Sequence, residues 1–174
     1  MTLGKEAKKL NIAILGFDAR NIFENNHELY VSKLNRDRLG AGTNDFFIIS
    51  WSTGGYYKER GNLRAKHLNM PAWGGRFFCD LLSIFVVPFI FLRHKFRPNV
   101  FIVYDIPFVF AGLWHKLFFR TKIVLFLTNV PSELAQTRRL GRLKYLYWRA
   151  AALGAKFFID KAVAISAPTK NFLL

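Results

Sequence analysis

The sequence predicts an α/β fold built on a doubly wound, mostly parallel sheet, and three observations predict it. Runs that are apolar nearly throughout recur along the chain: NIAILGF, DFFIISW, VFIVY and KIVLFLT. Strands covered on both faces read this way, whereas half-exposed strands alternate. Between the runs lie longer stretches with the 3.6-residue period of helices. The size fits as well: 174 residues that are 52% hydrophobic are ample for one core and short for two.

In chain order, Asn11–Phe17 reads as a buried first strand ending in a Gly-Phe-Asp turn. Arg20–Leu39 reads as a helix, because Phe23, His27, Tyr30 and Leu34 share one face, and Gly40 and Gly42 end it. Asp45–Trp51 is the second strand. Ser52–Gly61, with Gly54, Gly55 and Gly61, is expected as a loop, and Leu63–Leu68 as a weak edge strand. Gly75–Phe96 is helical in period but apolar almost all round, with Pro88 as a site for a kink. Val100–Tyr104 is a strand ending at Asp105, and Pro107 suits the first position of a helix over Pro107–Phe119. Lys122–Thr128 is a further strand, Gly141–Phe158 a helix, Ala162–Ile165 a short strand, and Ser166–Leu174 the start of a helix. In such sheets ligands sit at the carboxyl ends of the strands, near the switch point of the topology.

Charge narrows the partner. Twenty-six Lys and Arg against eleven Asp and Glu give +15, which calls for an anion. Residues 1–60 net only +2, while residues 61–174 carry seventeen basic residues against Asp80, Asp105, Glu133 and Asp160. With aromatic residues at 17%, the anion is either nucleic acid or an anionic membrane surface. No helix-turn-helix, RNP or KH signature supports nucleic acid. A single cysteine, Cys79, excludes a disulfide framework and a multi-cysteine zinc site. Lys5, Lys8 and Lys9 before an apolar run imitate a signal peptide, but Asn11 interrupts the run and Asp18 and Arg20 end it. Leu81–Leu92 is twelve uncharged residues broken by Pro88, too short for a span of about 20 and suited to a buried or interfacial helix.

Several chemistries lack their motifs. There is no G-x-G-x-x-G after a strand, no P-loop and no G-x-S-x-G elbow. His27, His67, His94 and His115 fall in different elements without ligand spacing, so no metal site is expected. On the helix over Gly141–Phe158, Leu143, Tyr147, Ala150, Ala151, Gly154 and Phe158 fall on one side. Arg138, Arg142, Arg149 and Lys156 fall on the other with Tyr145, either as a solvated face or as one resting on anionic lipid.

Three stretches carry a family resemblance: RPNVFIVYD followed by a Pro-started helix, TKIVLFLTNVP, and GAKFFIDKAVAISAPTKNFL. Their order resembles the amino-terminal, acceptor-binding domain of GT-B glycosyltransferases of the retaining family-four type. That family has a Pro-Asp-hydrophobic strand, a strand leading into the interdomain cleft, and an Asp-x-hydrophobic-x-x-Ser strand, here Asp160 to Ser166. The first loop has one glycine, Gly16, where the family is Gly-rich, and Asn129 stands where many members place a cleft histidine.

The resemblance implies one Rossmann-like domain over residues 1–174, incomplete at its carboxyl end, without the domain that holds the nucleotide-sugar. It implies the acceptor-binding half of a glycosyltransferase at the cytoplasmic face of a membrane, using a lipid-linked or polysaccharide acceptor. Such a half would be inactive alone, would need no cofactor of its own, and would meet a donor-binding domain or subunit. A non-catalytic membrane subunit recruiting a separate donor-binding chain is the alternative. Asp18, Arg20, Asp105, Thr128 and Asn129, at strand ends, are the candidate acceptor contacts. Asp105, just before Pro107, is equally suited to capping a helix.

Overall fold

A computed structural model describes residues 9–16, 44–52, 54–69, 75–104, 106–127, 146 and 149–164. The apolar runs are strands: β1 (Asn11–Leu15), β2 (Asp45–Ser52), β3 (Tyr56–Arg60), β4 (Leu63–Asn69), β5 (Val100–Val103), β6 (Lys122–Leu127) and β7 (Lys161–Ala164). They form one seven-stranded sheet in the order β3-β4-β2-β1-β5-β6-β7. Every neighbouring pair is parallel except β3 with β4. Register sets apolar against apolar at the centre, where Ile14 lies opposite both Ile48 and Ile102.

The side-chain alternation of the strands divides the core in two. Ala13, Leu15, Phe47, Ile49, Phe101, Val103, Ile123 and Leu125 point to one face. Ile12, Ile14, Phe46, Ile48, Leu63, Ala65 and Ile102 point to the other. The first face is covered by α1 (Gly75–Arg93), by a 3-10 helix over Ile106–Gly112 with α2 (Leu113–Phe119), and by the helical residues 149–155. Phe47 is the centre of this half, with its ring edge-on to Phe91 at 5.4 Å and to Phe96 at 5.4 Å. Each such side chain contributes about 1.5–3 kcal/mol on burial.

α1 follows its sequence closely on the inner side. Cys79, Ser83, Val87, Ile90 and Phe91 are buried at helical spacing, and the helix continues through Pro88. It stops at Arg93, short of the expected Phe96, because Lys95 takes a left-handed conformation with φ 49°. The Phe96 amide donates to the Phe91 carbonyl at 2.8 Å and the Lys95 amide to the Leu92 carbonyl at 3.1 Å. These are the paired bonds of a Schellman ending, sealed by the Phe91–Phe96 ring contact at 5.5 Å.

Four expectations need correction. Ser52–Gly61 is not all loop: Tyr56–Arg60 is an antiparallel strand, returning to β4 through Gly61 at φ 59°. Its sequence, YYKER, is a polar edge strand that carries no hydrophobic pattern to find. Leu63–Asn69 is consequently an interior strand, paired on both sides, with Leu63, Ala65 and His67 buried. The expected helix over Pro107–Phe119 is split, because the 3-10 segment lies close on the sheet. A Cβ on Gly112 would stand 3.0 Å from Ile123 Cδ1. Finally, Ala150 is exposed, whereas Ala151, Ala152 and Ala155 are buried, a modest rotation of the expected inner face. The expected helices over Arg20–Leu39, including His27, and over Ser166–Leu174 lie outside the described residues.

Candidate functional site

The chain runs from β1 to β2 on one side and returns to β5 on the other, so the switch point lies between β1 and β5. In doubly wound sheets ligands sit at the carboxyl ends of the strands, near such a point. The opposite edge of the sheet is closed by asparagines. Asn99 accepts the Asn11 amide through Oδ1 at 2.9 Å, Asn11 Nδ2 donates to the Arg97 carbonyl at 2.9 Å, and Asn44 Oδ1 accepts the Leu10 amide at 2.9 Å.

Backbone geometry prepares the carboxyl edge. Gly16 ends β1 at φ 84°, a conformation that strains any residue with a Cβ. Its amide donates to the Ile49 carbonyl at 3.0 Å, and the Tyr104 amide donates to the Leu15 carbonyl at 3.1 Å. The single glycine of the first loop thus stands where the turn needs it. The Tyr104 ring stacks on Phe126, with centroids 5.7 Å apart, and joins the end of β5 to β6. At the end of β2, Trp51 Nε1 donates to Ser83 Oγ at 2.7 Å, and Ser83 donates to the Cys79 carbonyl at 2.8 Å. This fixes the first half of α1 beside the carboxyl edge.

The five candidate acceptor contacts, Asp18, Arg20, Asp105, Thr128 and Asn129, lie outside the described residues. In sequence each follows a strand that the sheet contains: β1, β5 or β6. Of the basic stripe, Arg138, Arg142 and Tyr145 also lie outside, while Arg149 and Lys156 are exposed. Among the described residues, no three His, Cys, Asp or Glu side chains converge on a metal position.

Sequence reasoning missed a polar row near this edge. Ser50, His67 and Tyr56 are register partners across β2, β4 and β3. Ser50 and His67 are buried, and the Tyr56 and His67 rings meet edge-on at 5.2 Å. Only the β3 hairpin brings the three together, and the polar β3 gave no signal of it.

Asp160 acquires a structural role. Its carboxylate accepts from Lys116 Nζ at 2.8 Å, the Ile123 amide at 2.8 Å and Lys122 Nζ at 3.3 Å, tying α2 and β6 to the start of β7. Burial alone would raise its pKa. The Lys116 ammonium, the Ile123 amide and the Lys122 ammonium outweigh burial and hold it at about 2. The aspartate of the Asp-x-hydrophobic-x-x-Ser segment is therefore a clamp of the fold.

No protein-family model and no curated protein matches the chain. Solved structures do share its fold. A sucrose-phosphate synthase from Thermosynechococcus elongatus matches over 95% of this chain and 44% of its own, with TM-score 0.68 and 13% identity. A trehalose-6-phosphate synthase from E. coli, bound with UDP-2-fluoro glucose, matches over 94% of this chain and 41% of its own, with TM-score 0.53 and 12% identity. The chain thus spans less than half the length of these neighbours. Both are GT-B-type glycosyltransferases, and this chain has a Rossmann-like α/β fold similar to part of theirs.

Proposed function

We propose that this chain is the acceptor-binding half of a glycosyltransferase of the GT-B, retaining family-four type. The enzyme works at the cytoplasmic face of a membrane and moves a sugar from a nucleotide-sugar to a lipid-linked or polysaccharide acceptor. The observation that carries the reading is the likeness of fold to sugar-transferring neighbours over 95% and 94% of this chain. The family-four assignment rests on the sequence resemblance, and the membrane on the basic, aromatic composition.

In this reading the acceptor lies at the carboxyl edge. Arg20 pairs with acceptor phosphate, Asp105 accepts a hydrogen bond from a sugar hydroxyl, and Thr128 and Asn129 complete the polar lining. The nucleotide-sugar is held by a second domain or a separate chain, so that the 174 residues bind acceptor without transferring sugar.

The test is amide NMR of the 174-residue chain titrated with a short-chain polyprenyl diphosphate glycoside and with an oligosaccharide. One of them should shift Gly16 and Tyr104, and Asp105→Ala with Asn129→Ala should weaken binding about tenfold. Shifts confined to β3, binding of neither ligand, or turnover of a nucleotide-sugar by this chain alone would each contradict the reading.

A further inference from the structure

The helix layer keeps large apolar side chains on its outer side. On α1 the residues between the buried positions are Leu81, Phe85, Phe89 and Leu92, spaced as one stripe opposite Ser83, Val87 and Phe91. Phe85, Phe89 and Leu92 are 64%, 63% and 71% exposed. On the neighbouring α2, Leu117 and Phe118 are 63% and 67% exposed. The two helices meet through the Phe91–His115 ring contact at 5.3 Å, which sets α2 beside α1. Trp114, stacked flat on Phe118 at 5.9 Å, adds an indole to the same surface.

Charge says what covers this surface. Both helices run antiparallel to the strands, and both end in basic residues at one edge: Arg93, Lys95 and Arg97 after α1, Arg120 and Lys122 after α2. From Leu81 to Leu127 the sequence holds six basic residues and one acidic residue, Asp105. Asp160 already holds Lys116 and Lys122, so a second copy of the chain packed on this face would bring Arg93, Lys95, Arg97 and Arg120 near like charges. An anionic bilayer instead neutralises the edge while its acyl boundary takes up the aromatic stripe, the arrangement of helices that lie in the interface. Among the described residues no helix is long and apolar enough to cross a membrane, so the contact is a surface one.

We propose that the outer face of α1 and α2 is an interfacial docking surface for anionic phospholipid, with α1 and α2 lying in the membrane plane and the basic edge at the headgroups. The proposal rests on the membrane-surface reading above and adds the surface that makes the contact, which is distinct from the basic stripe expected on the later helix.

Vesicle flotation of the 174-residue chain tests it, using phosphatidylcholine with about a third phosphatidylglycerol against phosphatidylcholine alone. The variants are Phe85→Ser/Phe89→Ser/Phe118→Ser and, separately, Arg149→Ser/Lys156→Ser, with circular dichroism and sedimentation velocity as checks on folding and oligomeric state. The parent should float with anionic vesicles, the aromatic triple variant should lose about tenfold or more of that affinity while staying folded, and the other variant should lose less. A triple variant that binds like the parent overturns the docking face and leaves the membrane reading standing. A parent that floats with neither vesicle overturns both. If the parent is a dimer in buffer that the triple variant dissolves, without vesicle binding, a second copy owns the face and the proposal fails.

Discussion

The two sides of the helix layer obey opposite rules. On the inner side small residues allow close approach: Ala111 and Gly112 lie on Ile123 and Phe101, Ala151, Ala152 and Ala155 are buried, and Gly154 faces Phe110. On the outer side stand phenylalanines and leucines, up to Phe157 at 83% exposed. The polar edge strand β3 shows that the chain can furnish an ordinary solvent-facing surface. Its Lys58, Glu59 and Arg60 are exposed, with Glu59 bridged to Arg64 at 2.9 Å. Among the described residues the most exposed large apolar side chains stand on the helix layer, while Leu10, Tyr57 and Val163 are exposed to a lesser degree on or beside the strands.

The largest effect belongs to the inner side. Phe91 touches Phe47, Phe96, Phe101 and His115, so Phe91→Ala should cost about 3–5 kcal/mol in denaturant unfolding. A loss below about 1 kcal/mol would erase the distinction between the two sides.

Next comes His115, buried among Phe91, Phe101 and Phe119 with neither ring nitrogen hydrogen-bonded. Burial, and to a lesser degree Arg97, lower its pKa from 6.5 to about 4. The unfolded chain gains this proton first, so stability should fall as pH drops from 6.5 to about 4, by about 2–3 kcal/mol. His115→Phe should flatten that stretch of the profile, and an unchanged slope would show that another group sets it.

Asp160 acts in the same sense, further down the scale. Its lowered pKa stabilises the fold above pH 3.8, and the contribution is lost as pH falls toward 2. Because the carboxylate is partly exposed, Asp160→Asn should cost only about 1–2 kcal/mol at neutral pH. The smallest effect belongs to the outer side, where Phe89→Ala should change stability by less than about 0.5 kcal/mol. A loss comparable with that of Phe91→Ala would mean that Phe89 is a core residue.

Legibility in the sequence followed the same division. The central strands could be read because burial on both faces leaves them apolar throughout, and α1 could be read as a helix close to its observed length. The strand Tyr56–Arg60 could not, since a polar edge strand between glycines has the composition of a loop. The 3-10 segment was read as α-helix because Pro107 and the apolar run suit either, and only contact with Ile123 and Phe101 sets the tighter path. Asp160 was seen as part of a family pattern, but its clamp depends on lysines distant in sequence. The acceptor candidates follow strand ends in sequence and lie outside the described residues. The outer stripe was visible only as an all-round apolar helix; which residues face out depended on how α1 sits on the sheet.

If the outer aromatic face enters the lipid interface, Trp114 reports on it directly. Its fluorescence should be quenched by anionic vesicles containing phospholipid brominated near the headgroup end of the acyl chain, and quenching should fall sharply in Trp114→Phe. Equal quenching in the parent and in Trp114→Phe, at matched vesicle binding, would place α2 away from the membrane and contradict the account.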